Sequence, residues 1–313
     1  MVDERELALQ VEADEGPPLM KRLLAEFVGT LLLVAVGTGT ATVLASGPLL
    51  RLEEVFGTIP AAQRASFSAQ FGALVANGLG DIFPVAFAFA TILSVIVYAF
   101  GGISGAHVNP AVTFSLAVAR RFRWADVPAY WVAQVLGGIA GAFVVAGIYG
   151  QDGASILGTD VLFGATRVGP GINAYQAILA EAFITFILVT AIMAIAIDPR
   201  APKGWSGLII GLALGAGILI TSAATGGSAN FARSLGPFVA SLVYDTKSIP
   251  WSDLYVYAVG PLIGGAAAAL IYEGLSGLET VSPAPRPGAA TPLDPTGNEL
   301  LDVEHDVADE LGD

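Results

Sequence analysis

Gly101-Gly102-Ile103-Ser104-Gly105-Ala106-His107-Val108-Asn109-Pro110-Ala111-Val112-Thr113 and Thr225-Gly226-Gly227-Ser228-Ala229-Asn230-Phe231-Ala232-Arg233-Ser234-Leu235-Gly236-Pro237 are the two stretches that decide the fold of this chain. Each begins in small loop-forming residues, reaches an asparagine, and passes into a short helical run, at about 110–119 and 231–241. Asparagine is a strong helix N-cap because its side-chain oxygen accepts from a free backbone N–H. A helix of about ten residues rises only ~15 Å, half of the ~30 Å hydrocarbon core of a bilayer. Two such halves meeting end to end complete one crossing.

Outward from these stretches, apolar runs separated by breakers predict six spanning helices, at about 23–45, 83–101, 127–148, 174–197, 205–222 and 252–274. The chain is 54% hydrophobic and 13% charged, against about 25% charged in a soluble domain, so its solvent is lipid. The first run, Leu23 to Ala45, lacks a short h-region with a cleavage site and reads as a retained span. The two halves also resemble each other. Ala25-Glu26-Phe27 opens the first span, Ala180-Glu181-Ala182-Phe183 lies near the start of the fourth, and each half carries one asparagine stretch. Three spans per half is an odd number, so the second copy enters from the opposite face. Inverted repeats whose broken helices meet near the midplane are a transport architecture.

Two further patterns agree. The G-x-x-x-G pairs Gly137/Gly141, Gly211/Gly215 and Gly260/Gly264 let helix backbones approach closely in three different spans. Lys21, Arg22, Arg120, Arg121, Arg123, Arg200, Lys203 and Arg286 fall on one side, and Arg51, Arg64, Arg167 and Lys247 on the other. The positive-inside rule then puts both termini in the cytoplasm and the loop at about 46–82 outside.

The net charge of −13 is concentrated at the ends. Residues 1–20 form an acidic N-terminal tail and 277–313 an acidic, disordered C-terminal tail, around a membrane domain at 21–276 with repeats at about 21–148 and 174–275. Acidic tails argue against nucleic acid and against docking on anionic lipid. The chain has no cysteine and two histidines. Disulfide and thiolate chemistry are excluded, and no metal site or other cofactor is expected. His107 reads as a packed, hydrogen-bonded loop histidine and His305 as a solvated one.

Both asparagine stretches, the paired glutamates and the six spans resemble the aquaporin, or major intrinsic protein, superfamily over about Lys21 to Ser276. Loop lengths and Asp198-Pro199-Arg200-Ala201-Pro202-Lys203-Gly204 look most similar to archaeal aquaporins. The resemblance implies an all-α membrane protein of six transmembrane helices plus two half-helices in inverted repeats. It also implies a multi-pass cell-membrane channel that is a homotetramer with one pore per subunit, and is not an enzyme. It departs from the family at one place: the second motif has Phe231 where the first has Pro110. Proline at a first helical position is preorganised and loses nothing by its missing N–H. Phe231 gives that up and is expected to bring a ring toward the point where the loops meet, repacking them or altering the constriction.

By that resemblance Asn109 and Asn230 donate to passing oxygens, within the loop motifs Asn109-Pro110-Ala111 and Asn230-Phe231-Ala232. Phe89, Ile218, Gly227 and Arg233 form the selectivity filter, with Gly227 leaving one wall open. The carbonyls of Gly105, Ala106, His107, Val108, Gly226, Ser228 and Ala229 line the pore, and Glu26 and Glu181 hold the two loops. The expected function is a passive channel for water, and for small neutral solutes such as glycerol, that excludes ions and protons. The alternatives are a glycerol or small-solute facilitator and a junction or scaffold protein on the same fold. Ser234 stands where the glycerol branch usually has aspartate, which favours water. An ion-coupled transporter would need midplane charges besides Arg233, and a membrane enzyme would need a nucleophile–base pair; the chain offers neither.

Overall fold

The computed structural model describes residues 17–56, 82–156, 159–244 and 248–277, with Pro60, Gln63, Ser66 and Thr246 besides. Its α-helices are α1 (Leu19–Phe56), α2 (Ile82–Ser104), α3 (Pro110–Val118), α4 (Val127–Ala154), α5 (Ala174–Ile192), α6 (Ser206–Thr225), α7 (Phe231–Ser241) and α8 (Val256–Ser276). Six are long and apolar enough to cross a bilayer; α3 and α7 are the two half-helices. One boundary differs from expectation. The pair Gly47-Pro48, which reads as a stop, is carried inside α1, and the helix runs to Phe56. The expected outer loop therefore begins as helix, and most of the rest of it lies outside the described residues, as do the acidic tails at 1–16 and 278–313.

The repeats interlock. Within a repeat, α1 packs on α4 and α5 on α8, while α2 meets α6 across the pseudo-twofold axis. Each half-helix lies chiefly on the third span of the other repeat, α3 on α8 and α7 on α4. The three glycine pairs serve three different interfaces. A Cβ at Gly137 or Gly141 would meet Phe27 or Leu31 of α1, at Gly211 or Gly215 Ala90 of α2, and at Gly260 or Gly264 Ile178 or Ala182 of α5. Backbone contact of this kind is what small residues allow in lipid, where burial alone drives no association.

Between α4 and α5 the chain forms a two-stranded antiparallel pair, Ser155–Ile156 with Thr159–Asp160, and then turns inward. Leu162 and Phe163 are fully buried at φ 51° and 50°, a left-handed conformation costing about 1–3 kcal/mol per non-glycine residue. At the other face Arg200 and Tyr272 bind Asp198, at 2.6 and 2.9 Å. The Arg200 guanidinium holds that carboxyl well below the usual carboxylate range.

Candidate pore and selectivity site

Both loops hang from a buried carboxylate in the same way. Glu26 Oε1 accepts from Ser104 Oγ (2.7 Å) and the His107 N–H (2.9 Å), and Oε2 from the Val108 N–H (2.7 Å) and Gln134 Nε2 (2.8 Å). Glu181 Oε1 accepts from Thr225 Oγ1 (2.6 Å) and the Ser228 N–H (3.0 Å), and Oε2 from the Ala229 N–H (2.7 Å). In each loop the donors are the hydroxyl that ends the preceding helix and the last two amides before the asparagine. A tyrosine from the third span completes each anchor: Tyr130 donates to the Ser104 carbonyl (2.9 Å) and Tyr257 to the Thr225 carbonyl (2.8 Å). The buried backbone of a loop within lipid must be satisfied by protein in this manner.

Held so, each loop takes three left-handed residues at matching positions: Gly105, Ala106 and Val108 in the first, Gly226, Gly227 and Ala229 in the second. The asparagines then cap their helices. Asn109 Oδ1 accepts from the Ala111 N–H (2.9 Å), and Asn230 Oδ1 from those of Ala232 (3.0 Å) and Arg233 (3.4 Å). Their amides cross over. Asn109 Nδ2 donates to the Ala229 carbonyl (2.8 Å) and Asn230 Nδ2 to the Val108 carbonyl (2.9 Å). The two half-helices thus abut by their positive ends, and two of the carbonyls expected to face the pore join the loops together.

A cavity of about 630 Å³ runs from this junction to one face of the molecule. Gly105, Ala106, His107, Val108, Asn109, Ser228 and Asn230 line it, and Leu93, Val97, Val112, Leu116, Leu188 and Ile210 are among its apolar residues. Phe89 and Arg233 also line it, the guanidinium carbon 5.2 Å from the ring centroid. Phe89 takes that position because Gly37 of α1 leaves room for it: a Cβ there would collide with the ring. Arg233 Nη1 donates to the Gly164 carbonyl (3.1 Å). Its Nε is buried and finds no partner among the described residues.

Three expected features sit differently. Phe231 is not on this cavity. Its ring lines a separate apolar groove with Pro110, Ala111, Trp131, Tyr257 and Pro261, so the departure from proline leaves the asparagine junction intact. Gly227 opens no gap: a Cβ there would stand 3.1 Å from Ile218 Cα and from Thr221 Oγ1. Ile218 is buried in the apolar cluster that holds Phe89, and neither it, Gly227, Gly226 nor Ala229 lines the cavity. His107 is packed as expected, with Nδ1 3.1 Å from Thr113 Oγ1 and its ring edge-on to Phe122 at 4.8 Å. Sequence reasoning missed Gln134, Tyr130, Tyr257 and Gly164. A tyrosine in the third span of each repeat was a visible signal; nothing pointed to Gly164.

Two half-helices abutting by capped N-termini inside an inverted six-helix bundle, with an arginine and an aromatic ring across one cavity, define a membrane channel. Comparison with known proteins agrees. The family model of the major intrinsic protein matches residues 15–272. Aquaporin AqpM of Methanothermobacter marburgensis is 40% identical over 262 residues, 82% of this chain and 98% of that one. Aquaporin NIP2-1 of Oryza sativa subsp. japonica is 36% identical over 265 residues, covering 83% and 72%. The aquaglyceroporin of Plasmodium falciparum shares the fold, with a TM-score of 0.63 at 20% identity, over 83% of this chain and 97% of that one. The chain belongs to the major intrinsic protein family: it is a multi-pass membrane channel for water and small solutes and not an enzyme.

Proposed function

We propose that the pore conducts water in single file, admits small neutral solutes such as glycerol, and excludes ions and protons. In this reading the channel is a homotetramer in the cell membrane with both termini cytoplasmic, and residues 21–276 are its channel domain. The observation that carries the reading is the crossed asparagine junction beside an arginine with a free donor. An amide nitrogen has two protons; one of each is used across the junction, which leaves the other for a passing oxygen. Each half-helix adds about +0.5 charge at its N-terminus, and Arg233 adds a full one. Stacked against a narrow file of water, these positive ends repel cations and oppose proton passage.

A preference for glycerol is the second reading, supported by Leu93, Val97, Leu188 and Ile210, which line the cavity together with Phe89. Stopped-flow measurements on proteoliposomes separate the two. Water entry should be fast, with a low activation energy, and should survive mercury because the chain has no cysteine. Arg233→Val should admit protons or small cations that the unsubstituted protein holds back. Water permeability equal to that of protein-free vesicles would overturn the channel reading, scaffold function then being the remaining one.

A further inference from the structure

Arg233 does not hold its place alone. The carbonyl that fixes its Nη1 belongs to Gly164, in the strained turn between α4 and α5. Backbone held in a sparsely populated conformation persists only where its surroundings over-determine it. Here the turn is pinned from several elements. Its Gly164 lies against the Thr38 carbonyl of α1, and farther along the Gly169 N–H donates to the Ala224 carbonyl (2.8 Å) and the Val168 N–H to Asp253 Oδ2 (3.0 Å).

One pin reaches the filter helix itself. Thr166 Oγ1 donates to Ser234 Oγ at 2.8 Å, Ser234 Oγ is 2.6 Å from Ser228 Oγ, and Ser228 Oγ donates to the Asn230 carbonyl at 2.8 Å. Read in that direction, every hydroxyl proton has an acceptor. The chain is fully buried at Ser234 and nearly so at Thr166 and Ser228. It joins the residue next to Arg233 to the turn that supplies the acceptor of Arg233. The first repeat fills the matching places with His107 and Thr113, and there Gln134 of α4 bonds Thr113 at 2.8 Å. In the second repeat the third partner comes from the outer connection.

We propose that the Thr166–Ser234–Ser228 hydroxyl chain is a specificity-determining element, which sets the gap between the Arg233 guanidinium and the Phe89 ring by coupling α7 to the Gly164 turn. The inference rests on the channel reading above and assigns its solute cut-off to a hydroxyl chain of which Thr166 and Ser234 do not line the cavity. Cutting the chain lets the guanidinium swing away from the ring, and the wider gap passes larger neutral solutes.

The test is the glycerol-to-water permeability ratio of the full chain in proteoliposomes. Ser234→Ala and Thr166→Val should each raise it about three- to tenfold, the scale of one buried hydrogen bond. The double variant should rise no further, since both cut one chain. Ser234→Thr keeps the hydroxyl and should stay near the unsubstituted ratio. Ser46→Ala, which removes a buried hydroxyl bonded only within α1, should match the unsubstituted ratio. Should Ser234→Ala fail to assemble, Thr166→Val against Thr166→Ser gives the same comparison. Ratios for both cutting variants equal to that of Ser46→Ala would overturn the proposal while water still flows. No water flow in the unsubstituted protein would overturn the channel reading instead.

Discussion

The two asparagine loops are built to one plan and secured to different degrees. The first carries two non-glycine residues in left-handed backbone, Ala106 and the β-branched Val108; the second carries only Ala229, with Gly227 at the place of Ala106. Left-handed backbone costs about 1–2 kcal/mol for a residue with a Cβ. The more strained loop has the stronger anchor, four donors on Glu26 against three on Glu181. The less strained loop carries Arg233, and its outer support comes from the connection between α4 and α5. Strain and hydrogen bonding rise together between the two loops.

The largest expected effect breaks the anchors. Glu26→Gln and Glu181→Gln each set an amide N–H₂ against donors that need an acceptor, and an unsatisfied buried donor costs about 1–3 kcal/mol. In thermal unfolding of detergent-solubilised protein Glu26→Gln, whose amide faces two donors at either oxygen, should lose about 2–6 kcal/mol and Glu181→Gln, whose amide can face one, about 1–3 kcal/mol. An equal or reversed order would show that the fourth donor and the extra strain are unrelated.

The next prediction makes the second loop imitate the first. Gly227→Ala puts a Cβ at φ 63°, 3.1 Å from Ile218 Cα, where the first loop already tolerates Ala106. With three donors in place of four, the variant should lose about 1–2 kcal/mol in the same unfolding assay. The reverse exchange, Ala106→Gly, should change stability by less than about 1 kcal/mol, relief of strain offsetting the entropy of glycine. A neutral Gly227→Ala would mean that the second anchor is as strong as the first.

The smallest effect concerns the one motif position at which the loops differ by proline. Phe231 is the first residue of α7, where proline is preorganised and its ring faces the groove and not the cavity. Phe231→Pro should shift stability by no more than about 1 kcal/mol, a gain in preorganisation set against lost apolar contact. Water permeability per channel should stay within about twofold, a change worth under ~0.5 kcal/mol. A severalfold change in stopped-flow water entry would place the ring in the constriction after all.

Much of this site was legible in the chain. The six spans, two half-helices, inverted halves and asparagine caps follow from hydropathy, length and cap chemistry, all set by residues within a turn or two of each other. Glu26 and Glu181 were identifiable because a buried acid in lipid needs a reason, and Arg233 for the same cause. Those readings needed no tertiary contact. What only the tertiary structure decided is where side chains point once left-handed backbone and neighbouring helices have acted. It turned the Phe231 ring into an apolar groove, set the vacant side of Gly227 against Ile218, and carried α1 through Gly47-Pro48. It also brought Gly164 and Thr166, remote in sequence from the loop, onto Arg233 and Ser234. Those outcomes depend on residues distant in the chain meeting in three dimensions, and a one-dimensional pattern carries period and chemistry but no such direction.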